Sequence, residues 1–169
     1  MDCNHLAECI QSIESTQDKY KSCEKQQCLK NCDMRTTIVV EENKKQYILQ
    51  NSGDIIAVYR VDGQMISSPD LTKCDNLIVD ITSLFAIFVE LKGTDLRHAL
   101  EQIESTLYNV LPAIGKYRLY ARIVTSPRTN VPNLKTDPQY KRIQREFMMR
   151  GGNLKTQVNC ISEEVGNLV

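Results

Sequence analysis

"KCDNLIVDITSLFAIFVELKG", residues 73–93, holds two apolar runs separated by Thr82 and Ser83 and rimmed by charge at Asp75, Glu90 and Lys92. Short runs rich in Ile, Val and Phe read as strands buried on both faces, and the polar turn between them makes an antiparallel hairpin. With a tight turn at Thr82 and Ser83, facing residues have numbers that sum to 165, so Asp75 lies opposite Glu90. Side chains alternate along a strand and directly facing residues share one side of the sheet, so Asp75, Glu90 and Lys92 converge. Asp80 stands beside the turn, about 16 Å along the strand from Asp75, at the wrong end to join them.

Working outward, the pattern before the hairpin begins with Leu6, Ile10 and Ile13 at helical spacing, which predicts a first helix over about 4–21. "KSCEKQQCLKNCDM" follows as a polar connector, so an N-terminal helix and a cysteine-containing connector are expected over about 1–35. "TTIVVEE" and "QYILQN", joined at "NKK", predict a hairpin, and "DIIAVYRVDG" a further strand ended by Asp62 and Gly63. Beyond the central hairpin, Thr94 or Asp95 caps a helix whose stripe is Leu96, Ala99, Leu100, Ile103, Leu107 and Val110, with Pro112 and Gly115 ending it. "YRLYARIVTS" predicts a strand, "SPRTNVPNLKTDP" a loop, Pro138 to Met149 a last helix stopped by Gly151 and Gly152, and "LKTQVNCI" an edge strand. Together these predict an α/β fold, a mixed sheet covered by helices on each side.

The chain of 169 residues, 41% hydrophobic and 25% charged, suits one globular domain with a substantial core. No apolar run reaches the length of a membrane span, and "MDCNHLAECI" lacks the pattern of a signal peptide, so a cytoplasmic protein is expected. Seven cysteines make an odd count, which points to reduced thiols rather than a disulfide framework. Cys23, Cys28 and Cys32 lack the paired C-x2-C knuckles usual for structural zinc and read as small apolar or surface residues. Net charge is zero, but residues 116–155 carry ten Lys and Arg against Asp137 and Glu146, a local balance of +8 offset by −8 elsewhere. Such a segment suits a polyanion, although scattered solvated lysines give the same count.

Two carboxylates facing each other across adjacent strands repel, and a divalent cation converts that repulsion into ligation. Hard oxygen ligands suit Mg2+ or Mn2+. An ammonium group beside them can hold an attacking water or stabilise charge developing on a phosphate. A polar strand end in which Glu90 pairs with Lys92 is the structural alternative.

The aspartate, the E-x-K spacing of "ELK" at 90–92 and the helix that follows resemble the PD-(D/E)XK nuclease superfamily, over roughly residues 54–125. The resemblance implies a restriction endonuclease-like mixed sheet flanked by helices, in a single nuclease-like domain spanning 1–169. It implies Asp75 and Glu90 as metal ligands and Lys92 as the residue that orients water. Gln102 is placed as in members with a Q-x-x-x-Y motif and joins the catalytic set, although Thr106 stands where those members have tyrosine. No proline precedes Asp75. An acidic residue from the first helix is also implied, Glu14 with Glu8 behind it. His98 stays outside the catalytic set.

The expected function is a metal-dependent nuclease hydrolysing phosphodiester bonds, in DNA before RNA. Arg128, Lys141, Arg142 and Arg145 are the candidate nucleic-acid contacts, which would supply affinity without sequence choice. Few aromatics argue against a stacking platform for single strands, with Tyr117, Tyr120 and Tyr140 left open. The alternative is a catalytically inactive nuclease-fold subunit that binds nucleic acid or protein within a larger complex. A homodimer or a partner protein is compatible with either, and a membrane is not an expected partner.

Overall fold

The computed structural model describes residues 28–66, 68–127 and 136–168. The expected first helix with Glu8 and Glu14, and Arg128 of the proline-rich loop, lie outside the described residues. In chain order the elements are β1 (Leu29–Asp33), β2 (Thr37–Glu42), β3 (Lys45–Gln50), β4 (Ile56–Arg60), β5 (Asn76–Asp80), β6 (Phe85–Leu91), α1 (Leu96–Ile114), β7 (Arg118–Thr125), α2 (Pro138–Met149), β8 (Leu154–Val158) and β9 (Cys160–Glu164).

The central hairpin forms as its sequence dictates. Every residue of β5 and β6 is buried. The two strands pair antiparallel from Asn76 opposite Val89 to Asp80 opposite Phe85, the expected register. The chain reverses through residues 81–84, with Leu84 at a φ of 56°. This hairpin sits inside a mixed six-stranded sheet of order β1-β4-β5-β6-β7-β8. β6, β7 and β8 run parallel to one another, while β1, β4, β5 and β6 alternate in direction.

The alternating faces of these strands build two cores. Ala57, Tyr59, Leu77, Val79, Ala86, Phe88 and Ala121 pack under Ala99, Leu100, Ile103 and Leu107 of α1 and Ile143 and Phe147 of α2. Phe88 meets Phe147 edge to face at 5.6 Å. On the other face, Ile56, Val58, Ile78, Ile87, Val89 and Val124 pack against Ile38, Val40, Tyr47, Leu49 and Ile161. Those last residues belong to a second sheet of order β2-β3-β9.

The fold is therefore mixed α/β, but the expected helical cover on both sides is corrected. Among the described residues both helices lie on one face, and the small sheet covers the other. The predicted β2–β3 hairpin forms, with Asn43 and Lys44 at φ values of 48° and 65°, the positive values a two-residue turn matching strand twist requires. Its period-two pattern identifies a buried face without saying what covers it.

Three local expectations also change. The polar connector becomes β1 over Leu29–Asp33, an edge strand paired with β4. The strand predicted from "LKTQVNCI" divides at Asn159, φ 64°, so that β8 closes the large sheet and β9 joins β3. Pro112 sits inside the last turn of α1, where it removes one backbone donor, and the helix continues to Ile114 with Gly115 as its cap. Asp95 caps the start, accepting from His98 N at 3.0 Å.

The reduced-thiol expectation is corrected at one position. Cys28, wholly buried in the core, is disulfide-bonded. An odd count excludes complete pairing but not a single bridge. Cys32, Cys74 and Cys160 are free thiols. No helix among the described residues is long and apolar enough to cross a membrane.

A buried ion pair joins the two sheets. Arg122 of β7, 1% exposed, donates from Nε to Glu163 Oε2 of β9 at 2.6 Å. Its Nη1 donates to Asn153 Oδ1 at 2.9 Å, and its guanidinium lies 5.2 Å from the Tyr120 ring. Tyr47 of β3 donates to the same Glu163 oxygen at 3.2 Å. Glu163→Ala strands the arginine between the sheets, and should cost about 3 kcal/mol in urea unfolding. At Gly152, a Cβ would stand 1.8 Å from Leu119 O. Gly152→Ala should therefore destabilise by about 1–3 kcal/mol in the same measurement, since the backbone rather than a flexible side chain must yield.

Candidate active site

The register of β5 and β6 delivers the two acids to one place. Asp75 lies one residue before β5, and its N–H donates to Glu90 Oε2 at 3.2 Å. In return, Leu91 N donates to Asp75 Oδ2 at 2.7 Å. Each carboxylate thus accepts from the backbone of the opposite strand, continuing the ladder beyond its regular end. Glu90 shares its parity with Ala86 and Phe88, and Asp75 with Leu77 and Val79, so both project on the face that carries α1 and α2.

Glu90 is 2% exposed and Asp75 is half-buried. Burial pushes Glu90 up to about 9, with the Asp75 charge adding to the effect and Lys92 and the Asp75 N–H opposing it. Asp75 is also raised, chiefly by burial, against the stabilising Leu91 N–H. Ionising both acids would therefore place more negative charge here than the surroundings compensate, and Glu90 keeps its proton.

The helix after β6 supplies the rest. Lys92 Nζ donates to Gln102 Oε1 at 3.0 Å, and Gln102 Nε2 donates to Lys73 O at 2.8 Å. Gln102 therefore clamps the lysine ammonium to the strand leading into Asp75. One turn later Thr106, fully buried, accepts from Cys74 N at 2.8 Å and donates to Gln102 O at 2.8 Å. Its hydroxyl holds the backbone immediately before Asp75, a positioning role that the sequence did not reveal because threonine on an apolar helix face usually bonds its own helix.

Further charges surround the pair without having been foreseen. The Glu42 charge at the end of β2 raises both Asp75 and Glu90, and Asp62 raises Asp75. Lys30 of β1 reaches Asn76 Oδ1 at 2.9 Å, and its ammonium is felt by Asp75 and Glu42. β1 and β2 come from a connector and a remote hairpin, so only the assembled sheets bring these groups near Asp75.

The structure thus brings together Asp75, Glu90, Lys92 and Gln102. It distributes the predicted phosphate contacts differently. Arg142 is engaged by Glu104 of α1, Nη1 to Oε1 at 2.6 Å. Lys141 and Arg145 line an open groove of about 420 Å³ on α2 with Gln144, Met148 and Met149. Much of the +8 segment is internally compensated, because Arg122 and Lys155 pair with Glu163 and Arg150 pairs with Glu146. Tyr117 and Tyr120 are 3% and 5% exposed, too buried to stack bases. His98 faces Glu101 at 3.5 Å.

Asp75 and Glu90 suit a hard divalent cation by charge and by oxygen donors. No group of three or more His, Cys, Asp or Glu arranged for a metal occurs among the described residues, so remaining positions would fall to water and substrate oxygens. No protein-family model, curated protein or solved structure matches the chain.

Glu90 carries a folded-state affinity for protons far above the 4.5 of a free glutamate, so its contribution to stability is complete below about 4.5 and lost as pH rises to about 9. In EDTA, Glu90→Gln should therefore melt at a higher temperature than wild type at pH 8 and show no advantage at pH 4.5. A Gln side chain still accepts from Asp75 N–H, and the comparison isolates the charge.

Proposed function

We propose that this chain is a metal-dependent nuclease of the PD-(D/E)XK superfamily, with a restriction endonuclease-like core, that hydrolyses phosphodiester bonds in DNA. The observation that carries the reading is the pair of facing acids, Asp75 and Glu90, bonded across the strand ends with Lys92 on the same face. Burial and the neighbouring Asp75 charge raise Glu90 to about 9, and a divalent cation between the two acids would turn that repulsion into ligation.

Asp75 and Glu90 would hold Mg2+ or Mn2+. The ion supplies charge neutralisation at the scissile phosphate and lowers the pKa of bound water. Lys92, fixed by Gln102, presents an ammonium that orients the attacking water and opposes charge building on the phosphate. Thr106 keeps Asp75 in register with Glu90 by holding Cys74 N. Lys141 and Arg145 on the exposed face of α2 would take the DNA backbone, with Arg142 available only by surrendering Glu104.

Incubation with linear, nicked, branched and single-stranded DNA under Mg2+ and Mn2+ tests the reaction. Wild type should cleave at least one substrate, EDTA should stop it, and Asp75→Ala, Glu90→Ala or Lys92→Met should each lower the rate about 100-fold or more. Full metal-dependent cleavage by Glu90→Ala would remove the assignment. Binding that is insensitive to EDTA, with no cleavage of any substrate, would favour the non-catalytic nuclease-fold subunit. In a salt titration of DNA binding, Lys141→Ala with Arg145→Ala should weaken binding for all sequences and reduce the slope of log K against log salt by about 2.

A further inference from the structure

The opposite end of the hairpin carries a second pair of acids that the proposed chemistry does not use. Asp80, the last residue of β5, is 0% exposed. Its Oδ1 accepts from Thr82 N at 2.9 Å and Ser83 N at 2.7 Å, which shapes the turn into β6. Its Oδ2 is buried with no hydrogen-bond partner, the one such side-chain atom among the described residues. The nearest acid is Asp54, which is bonded to the same turn residue: Ser83 N donates to Asp80 Oδ1 and Ser83 Oγ to Asp54 Oδ2.

Neither acid is at liberty to withdraw. Asn51 Oδ1 accepts from Asp54 N at 2.9 Å, and Asn51 Nδ2 donates to Asp54 O at 2.8 Å, so the Asp54 backbone is fixed just before β4. Ser83 Oγ donates to Asp54 Oδ2, while Ser83 N holds Asp80. Ile55 N donates to Thr82 Oγ1 at 2.9 Å, and Ile81 N to Ile55 O at 3.0 Å, tying the turn to the start of β4. Two carboxylates have no donor between them, so full ionisation would leave a buried oxygen both unsatisfied and repelled.

We infer that Asp80 and Asp54 share one proton, forming a carboxylic acid–carboxylate pair that latches the β5–β6 turn to the start of β4 and loosens as the proton leaves. The proton on Asp80 Oδ2 supplies the missing donor, and the Asp54 carboxylate accepts it. The surroundings match. Burial, with the Asp54 charge, raises Asp80 to about 7 against the opposing pull of the Ser83 and Thr82 amides. From β4 the residue opposite Asp80 is Ile56, and from β6 it is Phe85, neither of which titrates. Arg118 at the start of β7 gives its Nη2 to Ser83 O at 3.3 Å rather than to either acid. The latch holds the closed end of the hairpin whose open end carries Asp75 and Glu90, and it stands whether or not the chain cleaves nucleic acid.

The folded state keeps a proton that a free aspartate releases near 3.8. Stability from the pair is therefore complete below about pH 4 and declines as pH rises through about 7. The test uses the full chain in a Glu90→Gln background, which silences the other buried acid, with melting temperature followed from pH 5 to 8. Asp80→Asn keeps the acceptor for the turn amides and places an amide donor toward Asp54. Its advantage over its parent should grow from pH 5 to pH 8, reaching several degrees at pH 8, and the Asp80 carboxyl carbon of the parent should titrate by NMR between those limits. An Asp80 carbon that stays ionised throughout, or an Asp80→Asn protein equally destabilised at both pH values, would overturn the inference. So would recovery of the parent at pH 8 by millimolar Ca2+ or Mg2+, which would mean that a cation bridges the acids. Should Asp80→Asn fail to fold, Asp54→Asn serves the same comparison: loss of the carbon's titration there supports the shared proton, and an unchanged titration sinks it.

Discussion

The register of β5 against β6 is the constraint on which the rest depends. Each residue of one strand has a fixed partner in the other, and a slip of one place would send every side chain to the opposite face. Carboxylates secure both ends of this pairing. Asp80 collects the amides of the turn, and at the far end Asp75 and Glu90 each accept a backbone N–H from the facing strand. The apolar stretch between them fills two cores at once, so the hairpin is also the common wall of the molecule.

Holding acids in such a wall opposes stability. Glu90 is driven toward its protonated form by the burial that makes the hairpin strong. Nearby cations relieve this only at a distance, because Lys92 gives its ammonium to Gln102 and Lys30 gives its own to Asn76. A polar chain from Lys92 through Gln102 to Lys73, with Thr106 bonded to Cys74 N and Gln102 O, ties the site's backbone and side chains together without using the acids. In the proposed reaction, such an arrangement would hold its groups in place before an ion or phosphate arrived, unlike a surface salt bridge that forms and breaks.

The two sheets are registered by a different device. Arg122 reaches Glu163 across the apolar layer, and Tyr47 and Asn153 complete the hydrogen bonding around them. Apolar contacts alone would allow sliding, whereas a buried pair is satisfied in one alignment; such specificity is the best-attested use of buried ions. That alignment brings the end of β2, with Glu42, within electrostatic range of the acids on β5 and β6.

The central hairpin, its register, the stripe of α1 and the limits of α2 were legible in the sequence because each follows from local periodicity and short-range turn or cap chemistry. The convergence of Asp75, Glu90 and Lys92 was legible from strand alternation, whereas Gln102 entered only through the resemblance of its place in the following helix. The strand hidden in the connector, the division at Asn159 and the small sheet beneath β4–β7 were not, because a half-buried strand states that one face is apolar without naming what covers it. Likewise, a count of ten basic residues says nothing of their neighbours; only tertiary packing spent Arg122 between sheets and tied Arg142 to Glu104. Contacts between residues far apart in the chain depend on which apolar faces meet, and that choice is made by the whole core rather than by any segment of it.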